Sequence, residues 1–309
     1  MAQRTIISVV LPILNEASYI RQALESILNQ DYEPIEVIVV DGGSTDGTLD
    51  IVKEYPVELV VAPGMGQAAS INLGWRKSSG QILAYFAGDD YYKPGAFSIA
   101  AEAFRANPDV GLVHGDAEII NAAGQTIGLI RPGHVSLRDL LFWNSILTQS
   151  LFIRRDVLDK VGMADEKLKF ALDYDLWLRS ALYFPIRYIP KTLSCYRLHA
   201  ASEDASNPAM VGEVAAMVVD RFLERPDLPP DIRAMKKHAI AGSRILRGRQ
   251  YYLAKRRTQA WRDLLTAIQA EPSSLLTHQA LSLIVHLLWP GRLHHFSLSR
   301  LRQRIGLDF

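Results

Sequence analysis

Apolar, β-branched runs at residues 5–11, 37–40, 57–61 and 82–86 alternate with segments of helical period at 17–29, 48–54 and 67–77. That alternation leaves few solutions. Near-continuous apolar strands joined by helices must lie in a parallel sheet covered on both faces, because parallel neighbours require long crossover connections. Ligands of such sheets sit beyond the carboxyl ends of the strands. The loops at 12–16, 41–47, 62–66 and 87–95 are therefore where chemistry is expected. The chain has 309 residues, 49% apolar and 22% charged, enough to bury such a core and unlike a disordered or low-complexity sequence. The fold class is α/β.

Beyond residue 110 the pattern is mixed. Runs at 110–121 and 125–131 flank Ala122-Ala123-Gly124 and read as a hairpin. A short strand is expected at 150–154, a helix at 173–183, and late strands at 186–189 and 193–199. After Pro208 only helical patterns remain, at 209–223, 232–246, 258–270 and 274–288, broken at Pro226, Pro229, Pro230, Pro272 and Pro290. Residues 248–272 weakly resemble one tetratricopeptide unit, and a single unit cannot make a solenoid. The expected division is an α/β domain over 1–208 and an all-helical extension over 209–309.

The formal net charge of +1 hides an asymmetry. Residues 232–309 hold 14 Lys/Arg against 3 Asp/Glu, which leaves 20 against 30 in residues 1–231. A basic tail on an acidic body suits an anionic surface, phospholipid or polyanion, and equally a solvated helix face. The lone Cys195 excludes a disulfide framework or a cysteine zinc cluster and fits a reducing cytosol. The opening MAQRTIISVVLPILNE reaches Asn15 and Glu16 too soon for a signal peptide, and nowhere do 18 uncharged apolar residues follow one another. The expected location is cytoplasmic.

Four loops carry residues with chemical potential. In Leu11-Pro12-Ile13-Leu14-Asn15-Glu16 a strand runs into a helix, with Asn15 as a possible N-cap. In Asp41-Gly42-Gly43-Ser44-Thr45-Asp46-Gly47, two glycines allow close backbone approach to an anionic ligand. Asp46 or Ser44 could simply cap the next helix, whereas Asp41 has no such local explanation. Gly64-Met65-Gly66-Gln67-Ala68-Ala69 matches the dinucleotide fingerprint, with Asp89 about twenty residues on. That fingerprint usually opens the first strand–helix unit and here follows the third strand, so an NAD-dependent oxidoreductase is the alternative reading. The fourth loop holds Gly88-Asp89-Asp90 at a strand end, suited to Mg²⁺ or Mn²⁺ shared with substrate phosphates. Farther on, Asp173 and Asp175 open a helix where either could serve as a general base, and Tyr196-Arg197-Leu198-His199 ends the last strand.

LPILNE, VIVVDGGSTDGT, GMGQAASINLGWRKSSGQILAYFAGDDYYKPG, ALDYDLWLRSA and YRLHAAS occur in this order. Together they resemble the family 2 glycosyltransferases, inverting sugar transferases of GT-A fold, over about residues 5–202. The resemblance implies a Rossmann-like, mostly parallel GT-A sheet flanked by helices. It implies a nucleotide-diphosphate sugar donor, usually UDP-linked, with Pro12, Asn15 and Glu16 bordering the nucleoside and Asp41 facing the base. Gly43, Gln67, Asn72 and Asp89 complete the expected donor site. Asp89 and Asp90 resemble the family's metal-and-ribose pair, and Asp173 falls at the catalytic base. His199 is the candidate third metal ligand from its own place at the end of the last strand, not from the resemblance. Two positions depart from the family pattern: Ala87 stands where many members have Asp or Asn, and Leu172 replaces the usual Glu. The expected acceptor is a saccharide or lipid-linked hydroxyl of cell-surface polysaccharide or glycolipid synthesis. No nucleic-acid partner is implied, and a homodimer is possible. Should the Asp89, Asp90 and Asp173 site be degenerate, a noncatalytic scaffold would be the reading.

The tail has its own logic. Residues 274–288 would make a helix of roughly 22 Å, shorter than a hydrocarbon core of about 30 Å. Trp289 and Pro290 follow, then Arg292, Arg300, Arg302 and Arg304 spaced among Leu293, Phe296, Leu298, Leu301 and Ile305. Basic and apolar residues mixed in this way suit a helix lying in an anionic bilayer interface, so peripheral docking on the inner face of the cell membrane is expected. Packing on the chain's own helices or on a second subunit is the alternative.

Overall fold

The computed structural model describes residues 5–199 and 207–289. The chain divides into two compact units. The first comprises Met1–Val135, Ile146–Leu176 and Ser180–Leu198, and the second Ser136–Ser145, Trp177–Arg179 and His199–Phe309.

The first unit is built on nine strands: β1 (Ile7–Ile13), β2 (Ile35–Asp41), β3 (Glu58–Val61), β4 (Ile82–Tyr85), β5 (Tyr91–Tyr92), β6 (Leu112–Asn121), β7 (Thr126–Ile130), β8 (Leu151–Arg154) and β9 (Ile186–Leu198). The sheet order is β3-β2-β1-β4-β8-β6-β9-β5, with β7 paired to β6. β1 is buried along its whole length, as a strand covered on both faces must be. β1 through β4 are mutually parallel, as the alternating pattern requires. The second half is mixed: β8 is antiparallel to both β4 and β6, while β6 runs parallel to β9. The sheet is thus parallel in its first half only, because short links such as the β6–β7 turn permit antiparallel neighbours.

β9 is one strand where the sequence suggested two. Its partners jump from Ile189 opposite Gly115 to Thr192 opposite Asp116, so Pro190 and Lys191 bulge out of the ladder. Proline lacks the N–H that a ladder needs, which is why the pattern breaks there without ending the strand.

α1 (Ile20–Leu28) buries Ile20, Ala23, Leu24 and Ile27, a stripe at helical spacing. They pack with Val9, Leu11, Val39, Phe97 and Phe152 into one core. α2 (Thr48–Val52) and α3 (Gln67–Lys77) follow β2 and β3, and α4 (Ala96–Ala106) follows β5. α3 lies so close to β1 that a Cβ on Gly74 would overlap both methyls of Val10. The Arg155 side chain, which opens α6 (Arg155–Val161), donates to the carbonyls of Trp75, Ser78 and Gly80 and so closes the end of α3. α7 (Leu172–Ala181) begins in the first unit.

The second unit gathers α5 (Leu137–Phe142), α8 (Pro208–Leu223), α9 (Pro230–Ala234), α10 (Lys236–Leu253), α11 (Arg257–Ala270) and α12 (His278–Leu288). Phe142, Ala241, Ile245, Ala260, Leu264, Ala267, Ala280, Leu283 and Leu287 form its core. Asp263 is buried and takes two bonds from the Arg247 guanidinium, at 2.6 and 2.7 Å. α10 outlasts the expected 232–246, ending at Leu253.

Gly74→Ala tests the seating of α3 on the sheet. Alanine gains about 1 kcal/mol in helix propensity but forces overpacking worth about 1–3 kcal/mol. A net loss of up to about 2 kcal/mol is expected in urea unfolding, and a net gain of about 1 kcal/mol, the propensity alone, would mean that α3 does not sit this close.

Candidate active site

At the carboxyl edge of β1 and β2, two loops are sewn together. The Asn15 amide donates to Ser44 Oγ at 2.8 Å, and Asn15 Oδ1 accepts from the Thr45 amide at 2.9 Å. The Glu16 amide donates to Thr48 Oγ1 at 2.8 Å, and the Ala17 amide to Asp46 Oδ2 at 3.0 Å. Asn15 does this at φ 58°, a left-handed conformation that asparagine tolerates better than most residues. Asp41 is fully buried, and Oδ2 of its carboxylate accepts the Gly43 and Ser44 amides at 2.9 and 3.0 Å. It therefore has the local structural role that its sequence position had not suggested, shaping its own loop. Asp46, not Ser44, holds the start of α2, accepting the Thr48 amide at 3.1 Å.

Across this edge stands the Gly88-Asp89-Asp90 loop. A Cβ on Gly88 would lie 3.0 Å from Glu16 Cγ and 3.1 Å from Ile13 Cγ2, so glycine is what lets this loop close onto β1. Glu16 titrates at about 8, pushed up by burial and then by the negative charges of Asp89 and Asp46. Asp90 is buried, and burial with the neighbouring Asp89 holds its carboxyl well above the usual range. Its Oδ1 accepts the Arg197 amide at 2.8 Å, and the Gln149 side chain bonds it as well.

Arg197 had been noted only for its position on the last strand, yet it joins more of the site than any other side chain. Its Nε donates to the Asp89 carbonyl at 2.8 Å, one terminal nitrogen to the Asn121 and Ala122 carbonyls, and the other to Gln22 Oε1 at 2.6 Å. The guanidinium also lies 4.6 Å from the Tyr19 ring centroid. The available signal was an arginine inside a strand otherwise set to be buried.

Asp173 stands at the start of α7, half-buried, after Ala171 at φ 53°. Burial raises its pKa, while Thr148, the Tyr174 amide and its own amide pull it down. Thr148 Oγ1 donates to Asp173 Oδ2 at 2.8 Å. Tyr85, at the end of β4, is bonded to Thr148 and feels the charge of Asp173.

Other expected residues play different parts. Pro12 is buried within β1, and Gly43 turns the loop at φ 105°. Gln67 is exposed on the first turn of α3, next to Gly66, where a Cβ would meet open space. Asn72, expected at the donor, is instead a buried bolt. Its Nδ2 donates to the Ala164 carbonyl and Glu166 Oε1, and its Oδ1 accepts the Ala164 amide, leaving the amide group spent. Among the described residues no three His, Cys, Asp or Glu side chains are arranged to hold a metal ion. Of the expected set Asp89, Asp90 and His199, Asp90 is turned inward and accepts the Arg197 amide. The remaining acidic surplus fits a divalent cation shared with phosphates, not one caged by protein alone.

Residues 8–161 match the family model for glycosyl transferase family 2. An uncharacterized glycosyltransferase of Rickettsia prowazekii is 30% identical over 212 residues, covering 63% of this chain and 65% of the relative. An uncharacterized glycosyltransferase of Nostoc sp. is 27% identical, covering 68% and 70%. The chain belongs to glycosyltransferase family 2.

The family's GT-A fold is seen in the structural neighbours. TarS 1–349 of S. aureus, solved in complex with UDP-GlcNAc, superposes with a TM-score of 0.63 at 19% identity over 97% of this chain and 92% of TarS 1–349. A mannosyltransferase of Pyrobaculum calidifontis, solved with GDP-Man and Mn²⁺, gives 0.62 at 18% identity over 94% and 89%. Family membership displaces the dinucleotide reading of residues 64–69, whose loop follows the edge strand β3. The chain spans just under two thirds of the Rickettsia relative's length.

The raised Glu16 carboxyl has a measurable consequence. A carboxyl raised from 4.5 to about 8 binds its proton more tightly when folded, so stability is lost as pH rises through that window. Glu16→Gln removes the loss. In metal-free buffer the melting temperature of the variant should equal that of the parent near pH 4.5 and exceed it increasingly towards pH 9. A constant difference across that range would show Glu16 to titrate normally.

Proposed function

We propose that this family 2 chain is an inverting glycosyltransferase that moves a sugar from a nucleotide-diphosphate sugar, UDP-linked, to a hydroxyl acceptor. The carrying observation is Asp173, a carboxylate set by Thr148 in the same unit as the Asp89-Asp90 edge. A base must be ionised at working pH and still attract a proton. Burial supplies the basicity, and the bonds from Thr148 and the Tyr174 amide keep the charged form within reach. Asp173 takes the acceptor hydroxyl's proton as that oxygen attacks the anomeric carbon. The bond to the diphosphate breaks on the opposite face, and the nucleoside diphosphate leaves with the electron pair.

Asp89, with diphosphate oxygens completing the shell, would hold Mg²⁺ or Mn²⁺, which neutralises the charge on the leaving diphosphate. Glu16 and Asn15 border the nucleoside in this reading, and the exposed start of α3 with Gln67 faces the phosphates. A thermal-shift panel of nucleotides and nucleotide sugars with Mn²⁺ tests donor class, with NAD as the dehydrogenase control. Asp173→Asn should lower turnover at least about a hundredfold while donor binding survives. Near-normal turnover would remove Asp173 from the role and pass it to Asp175.

The acceptor side of the proposal is a lipid-linked saccharide at an anionic membrane surface. No helix among the described residues is long and apolar enough to cross a membrane. α12 nevertheless exposes Leu281, Val285 and Leu288, and Trp289 follows, all more than 40% exposed. The basic segment that begins at Arg292 lies outside the described residues and continues from this stripe in sequence. Co-sedimentation of the full chain with vesicles of rising phosphatidylglycerol content should increase with charge, and Leu281→Ser with Leu288→Ser should reduce it severalfold. Sedimentation independent of lipid charge and unaffected by the double change would leave the stripe to a second subunit.

A further inference from the structure

Three consecutive residues join the two halves of the site. They form the short 3-10 turn Thr148–Ser150 that precedes β8. Thr148 Oγ1 donates to Asp173 Oδ2 at 2.8 Å. The Gln149 side chain bonds Asp90. Ser150, fully buried, donates through Oγ to the Gly115 carbonyl of β6 at 2.9 Å and to the Leu147 carbonyl at 3.1 Å. Asp173 and Asp90, the buried neighbour of Asp89, lie 83 residues apart in sequence and are thus separated by two side chains and one peptide unit.

We propose that this turn sets the distance between base and leaving group, with Thr148 the positioning residue for Asp173 and Gln149 that for Asp90. The inference rests on the transferase reading for its catalytic consequence but not for its structural claim. A peptide unit is planar and stiff, and Ser150 pins its downstream end to the sheet. Asp173 cannot then move away from the Asp90 side without breaking a bond to this turn. A reaction that needs attacking oxygen and leaving diphosphate in line gains from such a fixed span. Two further residues brace these contacts: Tyr85 reaches Thr148 from β4, and the Arg197 amide of β9 donates to Asp90.

The titratable group facing Asp173 from β4 is Tyr85, which burial and Asp173 itself keep protonated. From α7 the facing group is the Tyr174 amide, which donates to Asp173 Oδ1 at 2.7 Å. Removing the Thr148 hydroxyl should therefore raise the Asp173 midpoint, because a bond that favours the charged form is lost.

The test uses the full chain with Thr148→Val, Thr148→Ser and Gln149→Ala. Carboxyl ¹³C NMR, with Asp173 assigned by the loss of its signal in Asp173→Asn, follows the Asp173 titration in each. The expected result is an upward shift in Thr148→Val and restoration in Thr148→Ser, with Gln149→Ala unshifted. With the nucleotide sugar that the parent turns over, Thr148→Val should lose about 10- to 100-fold in kcat at unchanged donor KM, and Thr148→Ser should recover most of it. Gln149→Ala should instead raise donor KM severalfold. An Asp173 midpoint unmoved by Thr148→Val, or a serine variant as impaired as the valine one, would overturn the inference. If no nucleotide sugar is turned over, the transferase reading fails while the NMR titration still decides the positioning claim.

Discussion

The site depends on one buried guanidinium. An arginine with 2% of its surface exposed can be tolerated only if its donors are spent on well-placed acceptors. Arg197 spends them on the Asp89 carbonyl, the β6–β7 turn and Gln22 of α1, and its own amide goes to Asp90. Together these bonds anchor three elements. The aspartate loop, the first helix and the hairpin of the neighbouring strand β6 are held in one register by a single residue. Lysine could not repeat this, since a point charge lacks the planar fork that reaches several carbonyls at once.

That register gathers more negative charge than the site can comfortably hold. Glu16 and Asp90 are both pushed upward, each partly by Asp89. The described residues offer no three-ligand metal cage to absorb the surplus. A ligand carrying a divalent cation and phosphates relieves it, whereas a phosphate anion alone would add to it. That balance is the physical ground for the divalent cation in the proposed reaction.

Much of this was legible in the sequence, for physical reasons. The four parallel strands announced themselves because a strand buried on both faces must be apolar throughout, as β1 is. The glycines and aspartates of the loops marked the sheet's carboxyl edge correctly. Less legible was the division of polar residues between ligand and scaffold. Asp41 and Asn72 carry ligand-like groups, yet both are buried and bonded within the protein, Asp41 to amides of its own loop and Asn72 to Ala164 and Glu166, a distinction that depends on who their neighbours in space are. The β6–β7 hairpin was legible from its turn residues, but the antiparallel seating of β8 was hidden, because strand direction follows from connections and not from composition. Arg197 was visible only by its place on the last strand and Thr148 not at all, because their partners lie far away along the chain.

Two strained turns show where folding energy is invested. Among the described residues only Asn15, Ala171 and Lys255 adopt positive φ without being glycine, and the first two stand beside Glu16 and two residues before Asp173. For alanine the left-handed conformation costs roughly 1–2 kcal/mol, with no side-chain hydrogen bond to offset it. Relaxing Ala171 would redirect the first turn of α7 and carry Asp173 away from Thr148, so the bonds around Asp173 must outweigh the strain. Asn15 is held in the same way by Ser44 and Thr45. Because the cost is met when the chain folds, donor and acceptor need not meet it on binding, and more of their binding energy is left for the transition state.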